Sequence, residues 1–174
     1  MKVPFKALFF TSMLLFSNSL YAETNIVYLD LNIIYNETKV GKLIFTELEK
    51  IQKNNISNFK KNEESLKKEE QKIFSQKNIL SEEEYEKKIL SFNKQVDKYK
   101  SNRNKSINEL KNKRVKSINK LSKSVNKILA EYSDEKKISF IIPKKNIIIG
   151  KSELDITNDI LIIVDKKVKK ITIN

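Results

Sequence analysis

Asn78-Ile79-Leu80-Ser81-Glu82-Glu83-Glu84 divides one long helical pattern into two. Ser81 followed three residues later by Glu84 is a capping box, and the glutamates fill the turn where a helix dipole favours negative charge. Ahead of this segment Phe59, Leu66, Ile73 and Leu80 recur every seven residues. Behind it Tyr85, Ile89, Phe92, Val96 and Tyr99 alternate steps of four and three, and the seam runs on through Arg103, Ile107, Leu110, Ile118, Leu121, Val125, Ile128 and Tyr132. Such spacing is that of a coiled coil. The pattern begins at about Lys42 and lasts roughly ninety residues, against a usual helix length of about 8 to 20. Unbroken, it would reach about 135 Å. The cap instead predicts an antiparallel hairpin over residues 42–132, with its turn near 76–82 and arms of about 60 to 75 Å.

The flanks read differently. Residues 26–31 (IVYLDL) are β-branched and aromatic and predict a strand; Asn32 to Gly41 reads as a short connection with a helical turn. In the tail, Ile138 to Ile142 predicts a strand, Pro143 to Asn146 a turn, and Ile147 to Ile149 a second strand ended by Gly150. Asp155 to Asp159 offers a helix start, and Ile160 to Lys170 a helix whose LIIV core also suits a strand. A lone strand leaves its backbone groups unpaired, so the two ends must meet. The expected result is an α+β chain: helical arms on a discontinuous β body of residues 23–41 and 133–174. About three strands are marginal alone in water. The apolar residues Ile26, Val27, Leu29, Phe140, Ile141, Ile142, Ile147, Ile148 and Ile149 are dense for so small a unit. Joining copies would bury them and cover open edges, which predicts a homo-oligomer.

Composition narrows the function. Lys and Arg number 35 against 22 Asp and Glu, a net charge of +13, with no His and no Cys. The missing thiols exclude a disulfide framework and a Cys-ligated zinc site. Without His, Cys or a glycine-rich phosphate loop the common acid–base, nucleophilic and nucleotide-binding arrangements are absent, so no enzyme, metal or cofactor is expected. Lys2, Lys6 and the apolar run Ala7 to Phe16 read as a signal peptide over residues 1–22, cleaved after Ala22, which predicts export. A membrane span needs about 20 apolar residues, and Ser17-Asn18-Ser19 breaks this run too early.

The second arm carries the main surface signal. Between Lys98 and Lys127 one acid, Glu109, faces a series of cations, among which Arg103, Lys105, Lys111, Lys113, Arg114, Lys116 and Lys120 form the candidate client- or anion-binding face. Passive solvation of a long helix is the plainer reading. Nucleic acid is a rival partner, disfavoured by the export signal and by aromatics spaced for helix packing. Asn55, Glu63, Glu70 and Arg103 place polar groups in or near the seam, either to set its register or to let the arms splay.

Taken together, these segments resemble the Skp/OmpH family of periplasmic chaperones over nearly the whole chain. The resemblance rests on Asn25 to Asp30 as first strand, Asn36 to Lys42 as the link into the arm, Leu80-Ser81-Glu82-Glu83 at the arm turn, and Ile138 to Gly150 followed by Asp155-Ile156-Thr157-Asn158-Asp159-Ile160 as the closing segment. It implies a homotrimer whose hairpins hang from a shared β body and hold unfolded outer-membrane β-barrel proteins without ATP. It also implies a possible partner in anionic lipid or lipopolysaccharide, for which Arg103, Lys105, Lys111, Lys113 and Arg114 are candidates on charge alone. Residues 160–174 depart from the family in being longer, apolar and Lys-rich. A structural coiled-coil scaffold of the envelope is the alternative.

Overall fold

The structure, a computed structural model, describes residues 24–173. The expected signal peptide, residues 1–22, lies outside them. The order is β1 (Ile26–Leu29), α1 (Leu31–Glu37), α2 (Lys39–Ser75), α3 (Glu82–Lys136), β2 (Phe140–Pro143), two 3-10 turns (Lys144–Asn146 and Ser152–Leu154) and α4 (Thr157–Lys167).

β1 and β2 pair in parallel, Ile26 opposite Phe140 and Leu29 opposite Pro143. Parallel strands need a long crossover. Here the entire helical hairpin is that crossover, so the chain ends meet as the unpaired-strand argument requires. Beyond β1 the only further pairing among the described residues is a bridge from Tyr28 to Asp155, where the Ile156 N–H donates to the Tyr28 carbonyl at 2.9 Å.

Two capping residues make the segment after β1 a seven-residue helix, where a short connection with a helical turn was expected. The Asp30 carboxylate accepts from the Asn32 N–H at 2.9 Å and starts α1. Thr38 is fully buried; its hydroxyl donates to the Ile34 carbonyl at 2.8 Å and accepts from the Gly41 N–H at 3.2 Å, starting α2 in the same stroke. The helices meet so closely there that a Cβ on Gly41 would lie 1.9 Å from the Tyr35 carbonyl oxygen. The arm helix therefore starts at Lys39, ahead of the expected Lys42. At the far end of α3, Lys137 takes the left-handed conformation (φ 54°) that closes a helix, and the Ile138 N–H returns to the Ser133 carbonyl at 2.9 Å.

The tail departs from expectation in two places. The strand expected at Ile138 to Ile142 lies at Phe140–Pro143. The second strand, expected at Ile147 to Ile149, does not form: a 3-10 turn at Lys144–Asn146 leads into a bend at Ile148 and Ile149. The free edge of β1 is met by Asp155, so this stretch crosses over the Tyr28 ring instead of pairing. A Cβ on Gly150 would lie 2.8 Å from that ring. A two-stranded sheet thus replaces the expected three among the described residues. The ambiguous LIIV stretch is helical, inside α4.

The core joins Val27 and Leu29 of β1 and Ile34 of α1 to Val40, Ile44 and Leu48 at the base of α2, Leu121, Val125 and Ile128 of α3, and Ile156, Ile160 and Val164. It therefore crosses the boundary expected between body and arm. After α4 the chain stays against this core, with Ile171 and Ile173 packed on it and the Lys120 ammonium donating to the Thr172 carbonyl at 2.9 Å.

Candidate functional site

Burial along the hairpin is uneven. On α2 the buried residues stop at Leu48 and resume only at Ile73; on α3 none precedes Ser117. The capping box at the turn forms as spaced: the Glu84 N–H donates to the Ser81 hydroxyl at 3.4 Å and the Ser81 N–H to the Glu84 carboxylate at 3.2 Å. The Ser81 hydroxyl and N–H hold the Glu84 carboxyl below its usual range. Between a packed base and this capped tip, the middle of the arm is held by polar groups.

Glu63 is central there. It accepts from the Tyr99 hydroxyl and, at 3.2 Å, from the Arg103 guanidinium, which sits 5.6 Å from the centre of the Phe59 ring. Partial burial and then the Glu63 charge push the Tyr99 phenol above its usual range. Glu63 and Arg103, two of the four polar seam residues of the sequence, thus answer each other across the two arms.

Two grooves adjoin this layer, and its Asn55, Phe59 and Arg103 line both. One, of about 390 Å³, adds Ile56, Ile107 and Leu110 with Lys111 and Arg114. The other, of about 430 Å³, is lined by carboxamides: Asn55, Asn58, Asn62, Gln95 and Asn102, with Tyr99 and Lys98. In the first, Ile56 is 57% exposed and Ile107, expected in the seam, is 50% exposed.

Only part of the candidate cationic face comes together. Arg103, Lys111 and Arg114 share the apolar groove. Lys105 and Lys116 are exposed away from it, Lys113 is half-buried, and Lys120 ties down the tail. Of the candidate oligomerisation residues, Val27 and Leu29 are buried in the chain's own core, packed against its helices. Ile141, Ile142 and Ile147 are half-buried. Ile26 and Phe140, side by side in register, and Ile148 and Ile149 are exposed. The sequence reading missed the carboxamide groove and the exposed tip residues Phe74, Ile79 and Leu90. Their signal was present: Phe74, Ile79 and Leu90 fall off the apolar repeat, and Asn55, Asn58 and Asn62 share one helix face.

Among the described residues no group of Asp and Glu is arranged to hold a metal ion, and no helix is long and apolar enough to cross a membrane. The architecture is a long helical hairpin raised on a small two-stranded β hub. By its sequence the chain belongs to the OmpH-like outer membrane protein family, which matches residues 25–163. Among solved structures it is similar to a candidate outer membrane chaperone (OmpH-like) from Caulobacter crescentus CB15, with a TM-score of 0.79 and 13% identity over 86% of this chain and 88% of the other. At that identity the likeness is one of fold. No curated protein matches the sequence.

Proposed function

We propose that this protein is an ATP-independent periplasmic holdase that works as a homotrimer, gripping unfolded outer-membrane β-barrel proteins between its arms and keeping them from aggregating. The observation that carries the reading is the under-packed middle of the arm: exposed Ile56 and Ile107 lie in one groove with Arg103, Lys111 and Arg114. A holdase needs many weak, open contacts, because one deep pocket would select one partner. Apolar surface takes up the client's apolar residues while the cations attract its acidic ones and keep the complex soluble. Family membership supports the same role, and the signal-peptide reading of residues 1–22 supports the compartment.

Self-association rests on the outer face of the β body. Ile148 and Ile149 are 98% and 92% exposed, and Phe140 is 61% exposed beside Ile26. Contiguous exposed apolar residues of this kind mark contact surfaces. Light scattering on the chain without residues 1–22 should return three times the chain mass, and Ile148→Asp with Ile149→Asp should lower it. A persistent monomer at micromolar concentration in the unsubstituted chain defeats the trimer.

The functional test dilutes urea-denatured porin into buffer with and without the protein. Suppressed turbidity, stronger at low salt than at high, supports the holdase. No suppression at several-fold excess favours the envelope scaffold, and tight salt-steep binding to duplex DNA favours a nucleic-acid role.

A further inference from the structure

We infer that the carboxamide-lined groove is a second client site, distinct in chemistry from the cationic one, which binds the main chain of an extended segment whatever its side chains. The inference rests on the holdase reading and assigns this groove the part of the client that carries no sequence.

A carboxamide offers a carbonyl acceptor and an N–H₂ donor on one short stem. A peptide unit presents the same pair, one N–H and one C=O per residue. Asn55, Asn58, Asn62, Gln95 and Asn102 bring five such groups into one groove from both arms. The hydrogen bonds recorded at this level of the arm run from Tyr99 and Arg103 to Glu63, and none engages these carboxamides among the described residues. Spacing fits as well. Asn58 to Asn62 is four helical residues, a rise of about 6 Å, and an extended chain presents the same edge about every 6.7 Å.

The competing ligand for carboxamides beside aromatics is a sugar, which would stack on a free ring face. Neither ring offers one freely: Phe59 is covered by the Arg103 guanidinium, and Tyr99 is half-buried with its hydroxyl engaged by Glu63. The polypeptide is therefore favoured. The pairing also suits the task. An unfolded β-barrel strand aggregates through its unpaired backbone edge, so a groove that occupies that edge blocks the step that charge alone cannot. Such bonds depend little on salt, whereas the cationic groove is screened.

The test uses the chain without residues 1–22 and a labelled, blocked, uncharged peptide of about eight alternating Val and Thr residues. A second peptide has the same side chains with alternate main-chain nitrogens methylated. By fluorescence anisotropy at high salt, the methylated peptide should bind about tenfold more weakly. Asn58→Ala, Asn62→Ala and Asn102→Ala together should weaken the plain peptide by a similar factor. The corresponding Gln variant should retain most of the affinity, and Lys111→Glu with Arg114→Glu, which line only the cationic groove, should not change it. These sites are exposed and alanine favours helix, so the variants are expected to fold, which circular dichroism confirms. Equal binding of the two peptides, unchanged binding by the Ala variant, or capture of a maltooligosaccharide in place of the peptide overturns the inference. Selective peptide binding by a protein that lets porin aggregate sinks the holdase reading alone. Protection of porin by a protein indifferent to main-chain methylation sinks the groove assignment alone.

Discussion

The Tyr28 hydroxyl donates a hydrogen bond of 3.0 Å to the carbonyl of Lys151, 123 residues further along the chain. The same residue accepts the Ile156 N–H through its own carbonyl, and its ring carries Gly150. Lys144 stands 5.9 Å from the ring and is paired at 2.7 Å with Asp155. One tyrosine of β1 thus anchors the whole loop that presents Ile148 and Ile149. Tyr28→Phe should cost about 1 kcal/mol in urea unfolding, since one hydrogen bond is lost and the packing is kept. Hydrogen exchange in residues 147–154 should rise by more than in the arms. Unchanged exchange there would mean that the loop is held by other contacts.

Gly41→Ala is expected to be among the most damaging single-methyl changes in the chain. The added Cβ meets backbone, the Tyr35 carbonyl at 1.9 Å, and the Thr38 hydroxyl at 2.9 Å, and neither is the free end of a flexible side chain. Overpacking of this kind costs about 3 kcal/mol, offset little by alanine's better helix propensity. Urea denaturation followed by circular dichroism reads the loss.

Ser117→Ala should have the opposite sign. The Ser117 hydroxyl is buried and has no hydrogen-bond partner among the described residues. Removing an unsatisfied buried hydroxyl from a helix while raising its propensity should stabilise the chain by about 1 kcal/mol. A destabilised variant would point to a bound water as the missing partner.

Alkali should loosen the junction of α3 and α4. The Tyr132 hydroxyl donates at 2.9 Å to the Asp159 carboxylate, and burial followed by that charge pushes its pKa up to about 12. An unfolded tyrosine ionises near 10. The contribution is therefore complete below about pH 10 and is lost as pH rises through about 12, because the unfolded chain gives up its proton first. Tyr132→Phe should flatten the stability profile across that window.

Charge reversal in the apolar groove, Arg103→Glu with Lys111→Glu and Arg114→Glu, should weaken protection of denatured porin several-fold at low salt. The salt dependence should nearly disappear, because the attraction being screened is gone. Reversal at Lys105 and Lys116, which lie outside the groove, should do less; an equal loss there would make the effect one of net charge. The same comparison separates the groove from the wider basic face.

The helices and the reversal between them were legible because their signals are local. A capping box and a three–four apolar repeat act within a turn or two, and Ser81, Glu84, Ile73, Leu121 and Val125 occupy the roles their spacing implies. The α1 helix was legible only as a helical turn, although its caps stood in plain view. Asp30 and Thr38 lie in a stretch too short for a period to declare itself. Ile147 to Ile149 misled for a related reason: composition describes what a strand could accept, and three isoleucines qualify. Whether they pair depends on a free edge, and Asp155 had met the one on β1.

The candidate site divides along the same line. Sequence alone determined that the chain carries a basic, seamed pair of helices and apolar segments at both ends, since charge, periodicity and capping are properties of neighbouring residues. Tertiary structure decided which of those residues share a surface. It set Arg103 against Glu63 and Phe59, gathered Lys111 and Arg114 beside Ile56, and turned Val27 and Leu29 inward while leaving Ile148 and Ile149 outside. Those outcomes depend on how α2 and α3 lie side by side and on which face of a two-stranded sheet the helices cover. Both are fixed by contacts between residues far apart in the chain, which no local pattern encodes.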